Sequence, residues 1–134
     1  MSYRFVGIHH VQLAAPEGCE SEARQFFGDM LGFQEIEKPK SLQPRGGVWF
    51  LCGNHEVHIG VQQHFIPARK AHLAFEVRGL NQLRTNLINQ GVAIIDDEIR
   101  LEEGYQRFFL NDPFGNRMEF LEQIGLNSEG ADAK

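Results

Sequence analysis

Four side chains in this sequence could act together on a small molecule: His10, His58, His72 and Glu119. In an extended strand successive side chains point to opposite faces. Read with that period, four segments give one pattern. One face carries Val11 and Leu13, Val57, Ile59 and Val61, Leu73, Phe75 and Val77, then Met118 and Phe120. That face is apolar and is expected to pack on helices. The other carries His10 and Gln12, His58 and Gly60, His72 and Ala74, then Glu119 and Leu121. Gly60 and Ala74 are expected to leave room beside the imidazoles. Buried imidazoles and carboxylates are costly unless paired. Three imidazoles and one carboxylate suit a divalent ion of borderline character, namely Zn, Ni, Fe, Co or Mn. Ca and Mg prefer more oxygen ligands and rank lower.

The elements that must position these groups follow from punctuation and periodicity. Gly7–Ala15 reads as a strand, ended by Pro16 and Gly18. Ala23, Phe26, Phe27, Met30 and Leu31 trace one helical face, with Gly32 at the stop. Phe33–Glu37 reads as a strand, and Lys38–Arg45, with two prolines, as a loop. Gly47–Cys52 and Glu56–Gln62 form a hairpin around Gly53-Asn54. The plan then recurs. Ala71–Val77 is a strand, and Leu80, Leu83, Leu87 and Ile88 mark a second helix stopped by Gly91. Val92–Ile95 is a strand, and Tyr105–Leu110 with Arg117–Glu122 is a hairpin.

These elements make two βαβββ units, 5–62 and 71–122, within one α+β domain over 1–124. Gly32 maps to Gly91 and Phe50 to Phe109 at an offset of 59, His10 to His72 at 62, and His58 to Glu119 at 61. A period near 60 is an internal duplication. Residues 125–134 are polar and small and are expected to form a flexible tail.

Further candidates have plainer readings beside the chemical ones. Gln12 shares the histidine face. Arg69 and Lys70 precede the His72 strand and could clamp an anionic substrate, or simply be solvated. Tyr105 and Arg107, with Arg45, could line the same cavity from loops. His55-Glu56-Val57-His58 has the wrong spacing for a zinc-protease helix motif. His9 reads as packed or at an edge, and His64 as exposed. Cys19 and Cys52 have no visible base partner and read as inert thiols. Trp49, Phe50 and Phe65 read as core or cavity wall.

The matching stretches are His10–Ala14, Arg24–Phe33, Lys70–Phe75 and Asn111–Phe120, the last holding an Asp-Pro-Phe-Gly-Asn turn before Glu119. Through them the chain, from about Ile8 to Glu122, resembles the vicinal-oxygen-chelate superfamily of glyoxalases, bleomycin-resistance proteins and extradiol dioxygenases. The resemblance implies paired βαβββ modules with a cupped mixed sheet around the site. It implies His10, His72 and Glu119 as metal ligands, with His58 at a fourth position where glyoxalase I enzymes carry glutamate. Glu119 is then the remaining carboxylate base. It also implies a homodimer with the site at or near the interface, His10 and His58 of one chain meeting His72 and Glu119 of the other.

The chain has 134 residues, 42% hydrophobic and 23% charged, with a net charge of −5. That balance is globular, and the acidic excess argues against nucleic acid. No apolar run approaches a membrane span, and the first residues lack a signal-peptide plan. A reduced, cytoplasmic protein is the expectation. The leading expectation for function is a metal-dependent lyase, isomerase or thiol-transferase in which one divalent ion chelates vicinal oxygens of a small molecule. A metal-free small-molecule or antibiotic binder is the alternative, and an extradiol-type dioxygenase the second alternative.

Overall fold

The computed structural model describes residues 2–98 and 102–125. They fall into two compact units dividing between Pro67 and Ala68. The expected tail lies almost wholly outside the described residues.

In the first unit, β1 (His10–Ala15), β2 (Gln34–Ile36), β3 (Val48–Cys52) and β4 (His55–Val61) form one sheet in the order β1-β4-β3-β2. β1 runs parallel to β4 and the other pairs are antiparallel. In the second unit, β5 (Leu73–Glu76), β6 (Ile95–Asp96), β7 (Tyr105–Asn111) and β8 (Arg117–Gln123) repeat the plan in the order β5-β8-β7-β6. β5 is parallel to β8. The duplication read from the sequence is thus present in strand order and direction.

The register corrects one equivalence. His58 pairs with Trp49 on β3, and Glu119 pairs with Phe109 on β7. Trp49 therefore corresponds to Phe109, and Phe50 to Leu110, an offset of 60 rather than 59. One residue matters because it exchanges the faces of a strand. Phe50 is fully buried in the core, whereas Phe109 stands beside His72 on the other face.

The first helix begins as α1 (Glu20–Ala23) and continues through a more widely wound segment, Arg24–Met30. There the Leu31 N–H reaches back to the Phe26 carbonyl, five residues away instead of four. The wider turn rotates less per residue. It lets the consecutive Phe26 and Phe27 both bury against the sheet, each contributing roughly 1.5–3 kcal/mol. The second helix, α2 (Leu80–Asn89), stops as expected. Gly91 has φ +86, the Gly91 N–H bonds the Ile88 carbonyl, and the Val92 N–H bonds that of Leu87. No side chain of its own caps its start. The Glu122 carboxylate on β8 accepts from the Gly79 and Leu80 N–H groups instead.

Other expectations shift. Gly7–His9 lies outside β1, the strand expected over Val92–Ile95 shrinks to Ile95–Asp96, and Lys40–Arg45 winds as a short 3₁₀ helix. Ile88 is exposed, so Leu80 and Leu87 anchor α2 without it. Tyr105 and Arg107 lie on β7, not on loops.

The Asp-Pro-Phe-Gly-Asn turn is a buried staple. Asp112 Oδ1 accepts from the Phe114 and Asn116 N–H groups, and Oδ2 from the Asn116 amide. Asn116 Oδ1 accepts the Ala68 N–H, and the Ala68 carbonyl accepts the Arg117 N–H. The turn thereby ties the segment leading to His72 to the strand carrying Glu119. Asn116→Ala strands the Ala68 N–H and one Asp112 oxygen, an expected loss of about 2–3 kcal/mol. Urea unfolding checks this, and a change within about 0.5 kcal/mol, ordinary for a surface site, would deny the turn that role.

Candidate functional site

The candidate residues sort into two groups, one in each unit. In the first, His58 is 3% exposed and lies between two rings. Trp49 stacks on one side at 3.7 Å, with planes 2° apart, and His10 on the other at 4.2 Å and 17°. His58 Nε2 is 2.8 Å from Glu56 Oε1. A carboxylate only accepts, so Nε2 carries the hydrogen and Nδ1 keeps its lone pair. Burial pushes the imidazole below the ordinary histidine range, against the opposing pull of Glu56. The hydrogen bond from His58 in turn holds Glu56 below the usual carboxylate range. His10 is exposed, with its Nδ1 3.0 Å from that of His9. The room expected beside His58 is filled. Gln12 lies across Gly60 so closely that a Cβ there would sit 2.4 Å from its amide nitrogen.

The second group is held by ionic hydrogen bonds. His72 Nδ1 is 2.9 Å from the Lys70 carbonyl and so carries the hydrogen. Nε2 is 2.9 Å from Glu119 Oε1. Glu119, 7% exposed, accepts on Oε2 from Arg107 Nη1 at 2.8 Å. The other Arg107 amino group donates to Glu103 at 2.5 Å. Phe109 meets the His72 ring edge-on at 5.8 Å, and Arg117 covers Phe109. Tyr105 is half-buried, two residues from Arg107 on β7. Arg69 and Lys70 are exposed in the bend before β5.

The four ligands expected from the sequence, His10, His58, His72 and Glu119, are thus divided between two places. The structure brings His10 to His58, and His72 to Glu119. Glu56 and Trp49 were missed as partners, although Glu56 shares the His58 face two residues earlier. Trp49 needed the cross-strand register. His64 is exposed, and Cys19 and Cys52 are free thiols that burial pushes above the ordinary range.

Whether these residues suit a metal turns on His72. With Nδ1–H on a carbonyl, a neutral ring points its Nε2 lone pair at a carboxylate oxygen. Such a contact requires a shared positive charge, either a second proton or a metal ion. A histidine that donates its other N–H to a backbone carbonyl is the usual arrangement of a metal ligand. The pair therefore fits a metal. Stacked rings direct their lone pairs side by side, so His10 and His58 do not converge on one point in this arrangement. Among the described residues, no group of three or more His, Cys, Asp or Glu is gathered as a metal site.

Comparison with known proteins agrees with this architecture. The profile of the Glyoxalase/Bleomycin resistance protein/Dioxygenase superfamily matches residues 7–120, and the chain belongs to that superfamily. A structure described only as a putative glyoxalase family protein, from Bacillus anthracis, is 52% identical. It covers 92% of this chain and 99% of its own, with a TM-score of 0.87. A glyoxalase family protein from Enterococcus faecalis is 25% identical over 88% of this chain and 98% of its own, with a TM-score of 0.70. A glyoxalase/dioxygenase from Nostoc punctiforme shares the fold at 19% identity, over 88% of this chain and 91% of its own, with a TM-score of 0.71. The search of curated proteins found no match. Among the described residues no helix is long and apolar enough to cross a membrane.

The His58 environment sets a pH dependence. Its folded pKa lies below the unfolded value near 6.5, so the unfolded chain binds more protons as pH falls through that range. In metal-free protein, stability is expected to fall as the pH drops from about 7.5 through the unfolded value near 6.5. His58→Gln should flatten that slope in urea titrations. Identical slopes would show that His58 is not held neutral by burial.

Proposed function

We propose that this chain is a metal-dependent enzyme acting on a small molecule with two adjacent oxygens, of lyase, isomerase or thiol-transferase type. His10, His72 and Glu119 would hold the ion, with His58 in the fourth position. The observation that carries this reading is the 2.9 Å approach of His72 Nε2 to Glu119 Oε1, with the opposite atom of each group already engaged. When bound, a divalent ion of the Zn, Ni, Fe, Co or Mn kind supplies a Lewis acid for the substrate oxygens and the negative charge developing there.

The chain's own groups do the rest. The Lys70 carbonyl fixes the His72 tautomer, and Arg107 anchors Glu119 through Oε2. Oε1 remains the oxygen that accepts or returns a substrate proton. His58 adds a neutral Nδ1 under the cover of Trp49, and Glu56 keeps that tautomer. Gln12, Tyr105, Arg69 and Lys70 would meet the substrate. The two groups would complete one site in a homodimer.

A second reading is a metal-free binder of small molecules. It is favoured by the partners already present, Glu56 on His58 and Arg107 on Glu119, which satisfy these groups without an ion.

Elemental analysis separates the two. Protein purified without chelator is expected to hold close to one divalent ion per site, and His72→Ala to lose most of it. A wild type that takes up no added Zn, Ni, Mn or Fe would overturn the metal-dependent reading and favour the binder. Light scattering tests the assembly. The expected particle has twice the 15.3 kDa chain mass, and a stable particle of one chain would exclude a site shared between copies.

A further inference from the structure

We infer that Arg107 is a positioning residue for the Glu119 carboxylate, and that it meets the substrate through Glu119 and not directly. The inference deepens the metal-dependent reading and rests on it for its consequence, although the contact itself lies within one unit. Arg107 stands on β7, one strand from Glu119 on β8, and its side chain is 13% exposed. Its two amino groups are divided between two acids, Nη1 to Glu119 Oε2 and Nη2 to Glu103 Oε1. Its third donor nitrogen, Nε, is buried and has no partner among the described residues.

That arrangement is informative in two ways. A buried donor left unpaired is unfavourable, and a native structure that keeps one calls for an explanation. Here the explanation is geometric. Both ends of the guanidinium fork are engaged at once, which leaves Nε no acceptor. The Nε atom is also shut away from solvent, so it offers no landing place for a substrate anion. The half-exposed Glu103 pulls on the far end of Arg107 and holds the fork against Glu119. With Oε2 held by Arg107, Oε1 is the oxygen that faces His72. Lys70 carbonyl, His72, Glu119, Arg107 and Glu103 thus form one continuous run of contacts, and Arg107 is the member that fixes which oxygen Glu119 turns to His72.

The full-length protein is compared with Arg107→Gln, Arg107→Lys and Glu103→Gln. In chelator-treated protein, the ring ¹⁵N resonances of His72 read the Glu119 contact without any metal. Arg107→Gln is expected to shift the His72 Nε2 resonance, and Arg107→Lys, which keeps the charge, to bring it back toward wild type. An unmoved resonance in Arg107→Gln overturns the inference. Zn competition against a chromophoric chelator is then expected to show roughly 10–100-fold weaker binding in Arg107→Gln, partly rescued in Arg107→Lys. Affinity equal to or tighter than wild type would overturn it. Wild type that binds no Zn defeats the metal-dependent reading and leaves the His72 resonance to decide the role of Arg107. Should Arg107→Gln fail to fold, Glu103→Gln loosens the same fork from its exposed end. A smaller shift of the same sign is expected, and none would again overturn the proposal.

Discussion

A neutral imidazole lone pair and a carboxylate oxygen repel each other at 2.9 Å, so the His72–Glu119 contact exists only with positive charge shared between them. Much of the second unit maintains that condition. The Lys70 carbonyl keeps the proton on Nδ1, and Arg107 keeps the carboxylate turned. The Asp112–Asn116 turn binds Ala68, four residues before His72, while the strand leaving the same turn carries Glu119. One buried turn therefore places both partners, the exposed His72 and the buried Glu119. Removing a partner of Glu119 leaves a buried carboxylate short of a hydrogen bond, the costly case for buried polar groups.

The first unit keeps the same strand order and uses different physics. His58 occupies the position equivalent to Glu119, yet its neighbours are rings. Stacking between Trp49 and His10 excludes water from the imidazole and disfavours its charge. Glu56 then selects the tautomer. One copy thus holds a neutral nitrogen by burial, and the other holds an acid by ionic contacts. Duplication conserved the backbone register, while single substitutions at equivalent positions, Trp49 for Phe109 and His58 for Glu119, set the chemistry of each half.

Period-two alternation made the two faces legible, and glycines 32 and 91 marked both helix stops. What the pattern could not supply was pairing between strands. Trp49 and Arg107 become neighbours of His58 and Glu119 only across a ladder, and the repeat offset was one residue short for Phe50. The same apolar spacing fits an ordinary α-turn and the wider winding at Arg24–Met30, because both bury Phe27. Glu56 was available to the sequence, since it precedes His58 by one full strand period. The unusual His-Glu-x-His spacing drew attention to a helix motif and away from the strand face. The Asp112–Asn116 turn was conspicuous as a motif, but its work is structural, since its polar atoms are used within the fold.

Charge completes the argument. At a net charge of −5 the chain does not attract anions at long range, and salt screens what remains beyond about 10 Å. Any pairing with an anion must therefore be local. Arg107 is already committed to two acids, and Arg69 and Lys70 are exposed, where a pairing contributes little. The acids Glu103 and Glu119 outnumber the guanidinium between them by one charge, and His72 supplies only a lone pair when neutral. With His72 neutral, that deficit falls between Nε2 and Oε1, 2.9 Å apart. A proton or a cation shared between the two atoms would cancel that deficit, and it is this corner, not the net charge of the chain, that sets the local electrostatics of the second unit.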